Sequence, residues 1–130
     1  MDIIESVIDK SQKEFKENYD HYEKLIKNLK DEIALAQKGG GEEKIKLHKS
    51  RKKMLARERI DAVLDQDTPF MEFNPLAAHD MYKNRSPCAG IVTGIGIIHW
   101  REVVIVANDA TVTGGTYYQM TVKKDRKSVV

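Results

Sequence analysis

From Phe15 onward the apolar side chains fall at Phe15, Tyr19, Tyr22, Ile26, Leu29, Ile33 and Ala36. Steps of four and three alternate, which draws one apolar stripe down a helix while Lys, Glu, Asp and Asn occupy the other faces. The stripe suits either a coiled-coil seam or the inner face of a helix packed on a domain. Two tyrosines in so short a seam favour packing. Gly39-Gly40-Gly41 then ends the helix, supplying a left-handed C-cap and a flexible joint.

A second helical stretch, broken into two pieces, is expected from Glu42 to Leu64. It is basic through KLHKSRKKMLARER and then amphipathic, with Ile60, Val63 and Leu64 on one face. DQDTP, from Asp65 to Pro69, is a turn, because Pro69 lacks a donor and pushes Thr68 into an extended conformation. Beyond it the pattern changes to that of strands. FMEF (Phe70–Phe73) is a short strand and NPLAAHDMYKNRSP a loop punctuated by Pro75 and Pro87. Ala89–Ile98 and Glu102–Asn108 are strands joined by a tight turn around His99-Trp100-Arg101. The last strand is apolar on both faces, as in a sheet covered on two sides. So few strands cannot supply both covers, so this half reads as the opening of an α/β domain. The organisation is then an amphipathic helix over 1–38, a glycine hinge with a basic helical segment over 39–69, and an incomplete β/α domain over 70–130.

Composition narrows the classes. The 130 residues suit one domain, and 32% charged with 41% hydrophobic residues excludes a disordered chain. A net charge of +2 gives no global reason to expect nucleic acid or an anionic membrane. One cysteine, Cys88, excludes an internal disulfide framework, fits a reducing compartment and reads as structural. No apolar run approaches the roughly 20 residues of a membrane span. The start MDIIESVIDKSQKEFKENYD carries acids and resembles neither a secretory signal nor a transit peptide, so a cytoplasmic location is expected.

The candidate chemistry lies in two places. Between Glu42 and Arg59 eight basic residues face three acidic ones. That run is either a solvated helix face or a seat for the phosphates of a nucleotide-like ligand, and it lacks the interleaved aromatics of a base-stacking surface. The second place is NDATVTGGTYY, Asn108 to Tyr118, a strand end opening into a small-residue loop. Such a loop can aim backbone amides at a developing oxyanion, or its glycines can merely permit positive φ. The residues alone leave both readings open. Gly90, Gly94 and Gly96 lie among strand formers, so they are bulges or close approaches and not a dinucleotide fingerprint. His21, His48, His79 and His99 are too scattered for a zinc site.

GGGEEKIKLHKSRKKMLARERIDAVLDQDTPFMEF, PLAAHDMY, AGIVTGIG and VVIVANDATVTGGTYY follow one another in register over about Gly39 to Lys124. Together they resemble the carboxyltransferase subunit of biotin-dependent acyl-CoA carboxylases. Within that family they are nearest to the methylcrotonyl-CoA carboxylase β type, with the geranyl-CoA type left open beside it. The resemblance implies the truncated N-terminal part of a crotonase-like (ClpP-like) α/β domain, preceded by long helices. It implies an enzyme that moves CO₂ from carboxybiotin to 3-methylcrotonyl-CoA in leucine degradation. The biotin would be carried by a biotin carboxylase or carrier subunit, and no cofactor would be intrinsic to this chain. Full-length carboxyltransferase subunits would form a homo-oligomer, with no nucleic acid or membrane partner, in the mitochondrial matrix if the parent is eukaryotic. By the same likeness Gly114, Gly115 and Thr116 would line the acyl-CoA thioester site. Arg51, Lys52, Arg57 and Arg59 become candidates for the CoA phosphates by charge and context.

Family members are several times longer, with a second Gly-Gly loop and a second crotonase domain. The ending DRKSVV does not read like their amphipathic continuation. The expectation is a fragment without turnover of its own, marginally stable, with a parallel-type strand uncovered on one face and little for the first helix to pack on. The alternative is a non-catalytic module that binds CoA or docks on other subunits.

Overall fold

The computed structural model describes residues 8–129, with no side-chain description at Val129. The first seven residues, part of the stretch used to argue against a leader, and Val130 lie outside the described residues. The chain divides into two compact units, Met1–Glu32 and Ile33–Val130. Helix α1 spans Lys13–Gln37 and contains no buried residue. Its predicted stripe is present, but Tyr19, Tyr22, Ile26 and Leu29 are all exposed. Phe15, Ile33 and Ala36 are half-buried.

The basic stretch is indeed two helices, α2 (Glu42–Ser50) and α3 (Ala56–Val63). Glu58 organises the break between them. Its carboxylate accepts the Leu55 amide at 2.8 Å and pairs with the Lys49 ammonium. His48 Nε2 meets the Met54 carbonyl oxygen at 3.1 Å across the same connection.

Three strands follow, β1 (Met71–Phe73), β2 (Ile91–Ile98) and β3 (Arg101–Asn108), in the order β1-β2-β3 and antiparallel throughout. The parallel-type strand expected for this half is thus an antiparallel hairpin strand. Asp65 holds the hairpin tip, accepting the His99 and Trp100 amides, each at 2.8 Å. Those two bonds hold its carboxyl below the usual carboxylate range, the Trp100 amide contributing most.

The pairing register assigns the sheet faces. Val92, Gly94, Ile105 and Ala107 share the face under α3, where Ala56, Ile60 and Val92 form a buried cluster with Leu64 and Phe70 against it. Gly94 and Gly96 make the close approaches expected of them: a Cβ at Gly94 would collide with the Met71 carbonyl, and one at Gly96 with Leu64. Ile91, Thr93, Ile95, Val104 and Val106 share the other face. Helix α4 (Gln119–Val129) covers its Ile91–Thr93 end, with Ser128 Oγ 2.9 Å from Thr93 Oγ1. The helix runs on through DRKSV. Val104 and Val106 remain 52% and 40% exposed, so β3 is left uncovered on one face, as the sequence leads one to expect.

Two further expectations are corrected. Ala89 and Gly90 do not begin a strand: with Cys88 they form a left-handed turn, φ 53°, 57° and 70°. Nor are the three glycines a flexible joint. Gly39 does cap α1, its amide reaching Ala36 O at 3.2 Å, but Gly40 lies against Thr111 with no space for a side chain.

An exposed apolar edge strand invites pairing with other chains. Val104→Lys is expected to lower self-association in sedimentation at tens of micromolar. It should change unfolding free energy by no more than about 1 kcal/mol. Unchanged association would show that another surface drives it.

Candidate functional site

The loop after β3 is built around Asp109. Its amide donates to Gly90 O at 3.0 Å. Its carboxylate Oδ1 accepts both the Thr111 amide at 2.9 Å and the Thr111 hydroxyl at 2.6 Å. Thr111 Oγ1 in turn accepts the Gly40 amide at 3.0 Å. Asn108 Nδ2 donates to Gly115 O at 3.0 Å and closes the loop from the strand side. The polar groups of a buried Asp-Thr pair are thereby satisfied, as burial requires.

Thr113, Gly114 and Gly115 form a second left-handed turn, with φ 46°, 70° and 84°. The space beyond Gly114 is open: a Cβ there would meet nothing within 4 Å. The amides of the predicted trio are not equivalent. Gly115 N donates to Val112 O at 2.9 Å and Thr116 N to Thr113 O at 3.3 Å. Of the three, Gly114 is the one whose amide is not engaged in these turns.

The structure divides the predicted phosphate group. Arg57 faces inward, its guanidinium 2.7 Å from Glu72 Oε1 and 3.3 Å from Gln37 O, with Cys88 Sγ at 3.4 Å. It borders a recess of about 230 Å³ shared with Ile60, Asp61 and Phe70. That is below the roughly 300–1,000 Å³ of a typical ligand pocket. Arg51, Lys52 and Arg59 are exposed. Arg59 is two residues from Arg57 on α3, so it points to nearly the opposite side of that helix. Lys49, elsewhere in the basic run, is paired with Glu58.

Sequence reasoning missed the buried polar layer below. Cys88 is buried, its Sγ 3.0 Å from Pro75 O, and burial pushes its thiol up against the pull of Arg57. This agrees with its reading as a structural residue. Lys124, in the TVKK run of α4, is 4% exposed. Its ammonium donates to Ile91 O at 2.8 Å and Cys88 O at 3.1 Å. Burial pushes its pKa down, with partial relief from Cys88 and Glu72. Local periodicity carries no signal for this. The spacing Thr121–Lys124, one turn apart on α4, was the only trace.

The described residues thus form a small antiparallel sheet with a helix on each face and a Gly-Gly loop after its last strand. The chain belongs to the carboxyl transferase domain family, whose model matches residues 47–129. It is 55% identical over 105 residues to the biotin-dependent 3-methylcrotonyl-coenzyme A carboxylase beta1 subunit of Mycobacterium tuberculosis, covering 81% of this chain and 20% of that protein. Over 123 residues it is 48% identical to the mitochondrial methylcrotonoyl-CoA carboxylase beta chain of Dictyostelium discoideum, covering 94% of this chain and 21% of that one.

Two solved structures show the crotonase-like fold expected from the sequence. The transcarboxylase 12S hexamer, with methylmalonyl-coenzyme A and methylmalonic acid bound, superposes with a TM-score of 0.72 at 30% identity, over 82% of this chain and 22% of that one. The β subunit of Pseudomonas aeruginosa geranyl-CoA carboxylase gives 0.67 at 25% identity, over 95% of this chain and 23% of that one. The chain thus spans about a fifth of the length of the curated relatives it matches.

Two outcomes are expected. Gly40→Ala, which drives a Cβ into the Thr111 carbonyl, should cost about 3 kcal/mol in urea unfolding. Gly114→Ala carries only the backbone strain of a left-handed residue, about 1–2 kcal/mol. Equal losses would mean that Gly40 is not packed as described. For Lys124 the folded pKa lies below the unfolded value of 10.5, so the unfolded chain binds more protons just below that pH. Stability relative to Lys124→Met should therefore rise as pH climbs through the folded pKa towards 10.5; a flat or falling difference in paired thermal melts would contradict it.

Proposed function

We propose that this chain supplies part of the acyl-CoA side of a biotin-dependent carboxyltransferase, of the type that carboxylates 3-methylcrotonyl-CoA. The observation that carries the reading is the family match over residues 47–129, which includes the whole of the Asp109–Thr116 loop. The carboxylated biotin would be delivered on a partner subunit, and the acceptor would be the enolate of an enoyl-CoA thioester. An enolate oxygen concentrates charge in the transition state, so a fixed amide aimed at it lowers the barrier without reorganisation. Gly114 would present that amide, with Gly115 and Thr116 forming the rigid turn behind it. Arg51, Lys52 and Arg59 would meet the CoA phosphates, while Arg57 would hold α3 to β1 through Glu72. Assembly with further carboxyltransferase subunits and a biotin-carrying subunit, in a reducing aqueous compartment, belongs to the same reading.

Calorimetric titration with 3-methylcrotonyl-CoA, CoA and pantetheine tests it. The two phosphate-bearing ligands should bind, more weakly at higher salt because the contacts are exposed charges. Arg51→Ala with Lys52→Ala should weaken them about tenfold, a change of about 1.4 kcal/mol. Pantetheine binding as tightly as CoA, or no binding of 3-methylcrotonyl-CoA at millimolar concentration, would sink the reading. Binding without carboxyl transfer when the biotin-carrying subunit is added would instead favour a CoA-binding module.

A further inference from the structure

Thr121 and Lys124 are buried polar side chains of α4, and the bonds their side chains donate all end on one short stretch of backbone. Thr121 Oγ1 donates to Ala89 O at 2.6 Å, and Lys124 Nζ donates to Cys88 O at 3.1 Å and Ile91 O at 2.8 Å. Those carbonyls belong to the left-handed turn Cys88-Ala89-Gly90 and the first residue of β2. Two of the three turn residues carry a Cβ, so the turn persists only where its surroundings over-determine it. The remaining carbonyl of the turn, Gly90 O, accepts the Asp109 amide at the root of the Gly-Gly loop. A continuous path therefore runs from α4 through the strained turn to the loop.

The attachment of α4 is mostly polar. Its sequence QMTVKKDRKSV offers few apolar side chains, and Val122 is largely exposed. The apolar cluster of Ala56, Ile60 and Val92 lies on the opposite face of the sheet and does not depend on α4. Segments with little apolar burial open at lower free energy than the core they rest on.

We propose that α4 is a latch. Docked, it holds the Cys88–Gly90 turn left-handed and fixes the seat of the Asp109–Thr116 loop. Undocked, it takes away three hydrogen-bond donors, and the strained turn and the Asp109 end of the loop relax with it. The β2–β3 ladder and its α3 cover stay folded. The geometry offered by Gly114 thus exists only in the docked state, a conclusion that holds whatever ligand the loop meets.

Native-state hydrogen exchange on the full 130-residue chain tests this. The amides of Ala89 and Asp109 should exchange in step with those of α4, at least about tenfold faster than protected amides of the β2–β3 ladder, as a sub-global opening requires. Thr121→Val and Lys124→Met should each speed Ala89 and Asp109 by a further tenfold or so while leaving the ladder unchanged. Thr121→Ser, which keeps the hydroxyl, should return the wild-type rates. Where a variant does not fold, the wild-type pattern decides alone: one common rate for Ala89, Asp109, α4 and the ladder overturns the latch. Acceleration of the ladder together with the turn in folded variants would overturn it equally.

Discussion

Asp109 is where the candidate site is held together. Its amide fixes Gly90, its carboxylate fixes both polar groups of Thr111, and Thr111 fixes the amide of Gly40. A loop of small residues has little apolar surface to bury, so it cannot be ordered by hydrophobic packing. Here order comes instead from a short relay of hydrogen bonds that joins the end of β3, the turn before β2 and the glycines after α1. The relay is mostly buried, which makes each bond costly to leave unmade. That is the physical reason a Gly-rich loop can stay in one conformation, with three consecutive positive φ values.

The two sheet faces divide the work. Under α3 the contacts are apolar, Val92 against Ile60 and Ala56, and the glycines of β2 let Leu64 and Phe70 approach closely. Under α4 the fully buried Ile91 is joined by polar contacts, with a buried ammonium among them. Lys124 has carbonyl oxygens within hydrogen-bond reach and carboxylate help only through the more remote Glu72. Such a group costs desolvation, which is why its proton is held less tightly than in water. In return it joins Cys88 O and Ile91 O, on either side of the left-handed turn, through one side chain.

Much of the fold was legible along the chain. The four-three steps from Phe15 placed α1, the VVIVA run placed β3, and His99-Trp100-Arg101 placed the hairpin tip. What escaped was non-local. Nothing near Cys88 or Ala89 announces positive φ, since the carbonyls that make it tolerable are satisfied from more than thirty residues away by Thr121 and Lys124. Arg57 looked like one more member of a basic face until Glu72, fifteen residues on, was brought beside it. Gly40 looked like a hinge because sequence shows the missing side chain but not Thr111, which fills its place. In each case a tertiary contact overrode a correct local propensity.

The loop also bounds its own chemistry. Backbone donors at an oxyanion each contribute on the order of 3–4 kcal/mol, and effective sites set more than one of them around the same oxygen. With Gly115 N and Thr116 N engaged in the turn, Gly114 N is the one amide of the three that could serve in the proposed reading. A single donor of that size leaves most of the barrier to an enolate standing, since enzymatic accelerations span about 8–23 kcal/mol. Any carboxyl transfer at this loop therefore needs at least one further donor from outside the Val112–Thr116 turn. The turn's rigidity suits that arrangement: a lone donor is useful only if its position is fixed before the second one arrives.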